Sequence, residues 1–196
     1  MKAIARGAFA VAVTPSVLSY RLRAALIGEA RAIAGSTEAL SLVPGLVGVY
    51  LRRAFLARVL LGGCAPSATI EFGTVFSRAD AGIESNVYVG PRCHLGNVHL
   101  ERDVLLAAGV HVPSGAHTHG TDLGAPIHDQ PGQLRKVRIG RGSWIGSNAV
   151  VLADVGRDTI VGAGAVVTRP LPDRVIAAGV PARVVRRRDE PATVPA

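Results

Sequence analysis

The chain has 196 residues, 48% apolar and 18% charged, which excludes wholesale disorder and suits one domain with or without an extension. Aromatics make up only 4%, and the 23 glycines do not recur at every third position, so a collagen-like fibre is excluded and a narrow, regular aliphatic core is expected. The net charge of +8, nearly all from arginine, points to an anionic partner, while Cys64 and Cys93 lack CxxC spacing, exclude a disulfide scaffold and fit a reducing compartment.

The opening MKAIARGAFAVAVTP is faintly signal-like, but Pro15 and the basic segment after it argue against cleavage. No apolar run reaches the length of a spanning helix. The expected location is therefore cytoplasmic, with a peripheral place at the inner face of the membrane as an extension of that reading. SVLSYRLRAALIGEARAIAG and LVGVYLRRAFLARVLL place apolar residues three and four apart, which predicts two amphipathic helices with breaks at Gly35–Ser36 and Pro44–Gly45. Residues 1–61 carry eight basic side chains against Glu29 and Glu38. The second helix sets Arg52, Arg53 and Arg58 beside Val49, Phe55 and Leu56. Packing on its own domain or on a neighbouring subunit is favoured; the alternative is a basic helix lying on an anionic membrane. Residues 1–66 are read as a helical extension.

From residue 70 the pattern changes. Large apolar residues recur about every six positions, at Ile70, Phe76, Ile83, Val89, Leu95, Leu100, Leu106 and Val112, then again at Ile139, Ile145, Val151, Val155, Val161 and Val167. Small or β-branched residues follow four positions later, at Val87, Cys93, Val104, Val110, Ala149, Thr159 and Ala165. Short self-similarity of this kind is the mark of a solenoid, here a parallel β-helix over residues 67–185 with a tail at 186–196. Gly90, Gly96, Gly140, Gly146, Gly156 and Gly162 follow the large residues and are expected at corners that need a permissive backbone.

The stretches VRIGRGSWIGSNAVVLADV, IVGAGAVVTRPLP and VIAAGVPARVVRR resemble the hexapeptide-repeat acyltransferases, a superfamily that includes galactoside, maltose and serine acetyltransferases and polysaccharide O-acetyltransferases. The resemblance implies a left-handed β-helix, a homotrimer with clefts between subunits, and acetyl-CoA as acyl donor. One departure from the family pattern is VLAD, which spans four residues where a full repeat is usual, so a corner is expected to be cut there.

The ladder breaks at AHTHGTDLGAPIHDQPGQLRK, and polar excursions from a rigid scaffold are where chemistry usually sits. Residues 117–137 are read as the active-site loop. VHLERDVLLAAGVHVPSGAH is similar to the galactoside-type segment that leads into the catalytic histidine, and this resemblance assigns His117 as general base. Neutral imidazole can take a proton from an acceptor hydroxyl near neutral pH. His119 is the second candidate, catalytic or acceptor-binding. By the same resemblance Trp144 borders the pantetheine arm, Ser147, Ala163 and Thr168 line the cofactor groove, and Arg169, Arg183 and Arg186 meet its nucleotide end, where guanidinium suits phosphate. No cysteine or serine stands out as an acyl carrier, so direct transfer is expected.

Other classes compete on particular residues. The γ-class carbonic anhydrases share this fold and bind zinc through histidines. The repeat count makes His94 and His111 equivalent one turn apart, and likewise His99 and His117. Aligning VYVGPRCHLG to their pattern puts Pro91 and Gly96 at ligand places, so no metal is expected. There is no helix-turn-helix, RNA-binding or OB signature, so no nucleic-acid partner is expected. The expected function is acyl-CoA-dependent O-acyl transfer to a sugar, polysaccharide precursor or other hydroxylated molecule. An acyl carrier protein as donor is the near variant, and a non-catalytic scaffold at a membrane the distant one.

Overall fold

The protein, described over residues 2–190 in a computed structural model, begins with four helices: α1 Lys2–Ala12, α2 Thr14–Ile27, α3 Glu29–Ser41 and α4 Gly45–Val59. Pro15 sits in the first turn of α2, where its missing N–H costs no helix bond. The break expected at Gly35–Ser36 falls instead at Gly28, whose φ of 87° turns the chain between α2 and α3. Gly35 and Ser36 lie inside α3 because Ser36 is satisfied there: its Oγ donates to the Ala32 carbonyl (2.7 Å) and accepts from Arg23 (2.8 Å).

Val13, Val17, Tyr20, Ile33, Phe55 and Leu56 form a helical core continuous with that of the solenoid. Two polar side chains bolt the helices to the solenoid. The Phe76 N–H donates to Thr37 Oγ1 on α3 (3.0 Å). Arg52 on α4 is buried and donates to the carbonyls of Ile70 (2.9 Å), Leu40 (3.1 Å) and Val43 (2.8 Å). Arg53 lies over the Tyr50 ring, 4.6 Å from its centre, and Arg58 donates to the Ala10 carbonyl. The three arginines of α4 are thus engaged within the fold, and Arg52 is withdrawn from any surface.

The solenoid has three faces. Face 1 holds β1 Thr69–Ile70, β4 Tyr88–Val89, β7 Leu105–Leu106, β10 Trp144–Ile145, β12 Ile160–Val161 and β14 Val175–Ala178, all parallel, closed by the antiparallel β15 Arg183–Arg187. Face 2 holds β2 Val75–Phe76, β5 His94–Leu95, β8 His111–Val112, β11 Val150–Val151 and β13 Val166–Val167. Face 3 holds β3 Gly82–Ile83, β6 Val98–Leu100 and β9 Val137–Ile139, continued by single bridges at Val155 and Leu171. Every large residue of the six-residue ladder points inward, none more than 2% exposed, and the small residues four positions later are buried beside them.

The corner glycines have a different cause from the one expected. None of Gly90, Gly96, Gly140, Gly146, Gly156 and Gly162 has a positive φ. What they share is close approach: a Cβ on Gly146 would stand 2.5 Å from the Ala163 backbone nitrogen in the next coil. The left-handed conformation falls instead on Asn86, Arg92, Asp103, Asn148, Asp158 and Arg174 and their glycine equivalents, at the corners entering and leaving face 1. The corner from face 2 to face 3 varies in length. VLAD cuts it short as expected, with Ala153 buried and the Asp154 carboxylate accepting from the Arg138 N–H (2.9 Å), and the coil after it is equally short. The long loop after Val112 leaves from this same corner. β15 carries face 1 through Arg187, past the expected start of the tail, and residues 191–196 of that tail lie outside the described residues.

Candidate active site

The loop between β8 and β9 is a built element. Ser114 starts it with a φ of 68°, its Oγ accepting from the Asn97 N–H (2.7 Å). The two arms then join: the Arg135 N–H donates to the Ser114 carbonyl (2.8 Å) and the Gln133 N–H to the His117 carbonyl (2.7 Å). Gln130 is the loop's own core, donating to the carbonyls of Asp122 and Ala125 (both 2.7 Å) and accepting from the Asp122 N–H (2.9 Å). His117 and His119 therefore stand on a pinned stem.

On that stem His117 is exposed and is not among the residues lining the cleft below, whereas Thr118 and His119 line it. The cleft, about 520 Å³, opens between α3, face 2 and the loop. Its floor is His94 and His111, register partners whose rings stack at 4.7 Å and 8°. The equivalence of His94 and His111 read from the repeat count is thus present in space. The companion equivalence is not: His99 pairs with Gly82 and Arg138 on face 3, because the loop displaces His117 from the coil. Among the described residues no group of three His, Cys, Asp or Glu side chains gathers as a metal site would. Burial, then the neighbouring His111, hold the His94 imidazole below its ordinary 6.5, with Glu38 opposing them. Burial pushes the Cys64 thiol up to about 12 and Cys93 to about 11, so neither offers thiolate for acyl transfer.

The other candidates fall on three lines. Trp144 stands on the outward row of face 1, in register with Leu105 and Ile160; the row runs on to Ile176 and Arg186. Ser147 and Ala163 stack at the corner from face 1 to face 2, where the Gly164 N–H donates to the Ser147 carbonyl (2.8 Å), and Arg183 pairs with Ala178 beside it. Thr168 and Arg169 follow β13 at the opposite edge of face 2 and are exposed. One chain brings Ser147 close to Ala163 but does not gather all seven residues. Arg31 and Arg78, which the sequence reading did not select, meet at the cleft from α3 and the end of β2. Only their separation in sequence hid them, since neither sits in a motif.

A three-faced solenoid interrupted by one such loop defines a class of protein. The maltose O-acetyltransferase of Clostridium difficile 630 superposes with a TM-score of 0.70 at 19% identity, over 82% of this chain and 89% of that one. A galactoside acetyltransferase solved in complex with coenzyme A gives 0.58 at 20% identity, over 82% of each chain. The fold is thus a left-handed β-helix. The family profile described as "Bacterial transferase hexapeptide (six repeats)" matches residues 136–169. Galactoside O-acetyltransferase of Escherichia coli K12 is 30% identical over 146 residues, 69% of this chain and 68% of that protein. The chain belongs to the hexapeptide-repeat acyltransferase family.

Proposed function

We propose that the protein transfers acetyl from acetyl-CoA to a hydroxyl of a sugar or other small acceptor, with His117 as general base. What supports this reading is the pinned stem, which holds His117, at the position that resembles the family's catalytic residue, two residues before His119 at the rim of a cleft. The solved relative in complex with coenzyme A and the relatives named as acetyltransferases support the donor. The imidazole takes the hydroxyl proton as the oxygen attacks the thioester carbonyl. The C–S bond breaks, and the proton passes to the departing thiolate, leaving an acetyl ester and free coenzyme A.

Trp144, Ser147, Ala163, Thr168, Arg169, Arg183 and Arg186 are the proposed coenzyme A contacts. Ser147 and Thr168 occupy opposite edges of face 2, so a groove using both would need one edge from each of two copies. The apolar outward row Tyr88, Leu105, Trp144, Ile160 and Ile176 favours such a homotrimer, in which burying these side chains is favourable. Sedimentation should then give three times 20.3 kDa. No described helix is long and apolar enough to cross a membrane.

His119 lines the cleft, and this favours a second assignment in which it, and not His117, takes the proton. Steady-state kinetics of the two variants separate them. His117→Ala should lower turnover ~10²–10⁴-fold with coenzyme A affinity, read by calorimetry, unchanged, and His119→Ala should act mainly on acceptor KM. Near-normal turnover of His117→Ala with loss in His119→Ala would move the base by two residues.

A further inference from the structure

The cleft on face 2 has a charge pattern that a neutral sugar does not need. Arg31 from α3 and Arg78 from the end of β2 reach it from two sides, His94 and His111 floor it, and His119 overhangs it. No carboxylate lines it; Glu38, on the same helix as Arg31, is the acid whose field reaches His94. Among the described residues the guanidinium of neither Arg31 nor Arg78 has a hydrogen-bond or ion-pair partner within the chain. Four arginines elsewhere on the solenoid do have an acid beside them, as in Arg157–Asp173 (3.3 Å) and Arg135–Asp154. Two guanidinium groups left open over imidazole N–H donors, walled by Ala30, Ala34 and Leu134, suit an oxyanion carried on a small body.

We infer that this cleft is the acceptor subsite and that it takes a hydroxylated molecule by an anionic group, a phosphate or a carboxylate, held between Arg31 and Arg78. This rests on the acetyl-transfer reading above and names its substrate class. The anion anchors the molecule on the floor of the cleft, and its free hydroxyl is left to face the loop stem. The basic excess of the chain then acts partly on the acceptor and not only on the cofactor.

The test uses the full chain with ¹⁵N-labelled imidazoles. Inorganic phosphate at millimolar concentration should move the His94 and His111 signals, with saturating coenzyme A present, and should move neither in the double variant Arg31→Ala/Arg78→Ala. Absence of the shifts in the wild type, or their persistence in the double variant, overturns the oxyanion site. Their abolition by coenzyme A makes the cleft a region of the cofactor site and overturns the acceptor assignment. Acetylation assays on glucose, glucose 6-phosphate and glucuronate then distinguish phosphate from carboxylate. The double variant should lose ~10²-fold in kcat/KM on the preferred anion and under about twofold on glucose. Equal losses on both would overturn the proposal. Failure of the wild type to bind coenzyme A by calorimetry would remove the acetyl-transfer reading and leave the phosphate result standing.

Discussion

Face 2 and face 3 are lined inside by the same kinds of aliphatic residue and differ outside. On face 3 three cationic or titratable groups have a counter-charge: His99 meets Glu84 at 2.8 Å, Arg138 meets Glu101 at 3.8 Å, and Arg157 at the corner meets Asp173 at 3.3 Å. On face 2 Arg31, Arg78 and two stacked histidines share a cleft with no lining acid. A count of +8 cannot tell these faces apart. The difference teaches that charge locates a binding surface only where the chain has left it uncompensated.

The comparison can be broken at its shared interior first. Gly146→Ala sets a Cβ 2.5 Å from the Ala163 nitrogen and must push neighbouring coils apart, so unfolding should show a loss of about 3 kcal/mol. A loss under about 0.5 kcal/mol would mean the coils yield and the close-approach argument is wrong. Arg52→Met comes next. It leaves one buried and two part-buried carbonyls without their donor, and about 2–3 kcal/mol should disappear in denaturant titration.

Acid sharpens the contrast between the faces. His94 sits below 6.5 through burial and His111, so the folded chain binds fewer protons than the unfolded one just under that pH. Stability present above about 6.5 is lost as pH falls towards the lower folded value. On face 3 the His99 hydrogen bond holds Glu84 below its ordinary 4.5, so its contribution is present above 4.5 and lost only as pH falls through the lower folded value. Melting curves against pH should show two steps, and His94→Gln should remove the upper one alone. The smallest effect belongs to Arg157→Ala, an exposed pair, expected to shift Tm by no more than about 3 °C.

The interior was legible because one inward residue per strand repeats in sequence: Ile139, Ile145 and Val151 announce three faces without any structure. The helix break was misplaced because Gly28 and Gly35 look alike in sequence, while the bonds that satisfy Ser36 inside the helix, to Ala32 and from Arg23, are local and tertiary contacts the sequence does not spell out. His94 over His111 followed from counting coils, whereas His99 over His117 failed because the count ran through an insertion. The stem was not legible. Its two arms are joined by backbone groups at Ser114, His117, Gln133 and Arg135, which leave no pattern in side-chain type. The cleft was hidden for a related reason, since α3 and β2 meet through Thr37 and Phe76, not through a motif.

The antiparallel return of β15 decides how the rod ends. A parallel coil stack offers its last strand's free N–H and C=O groups to any passing β-edge, and β14 would present such a template. β15 occupies that edge with reversed polarity, and it carries Arg183, Arg186 and Arg187. The reversed strand breaks the parallel repeat, so on face 1 no further coil can be added in register beyond β14.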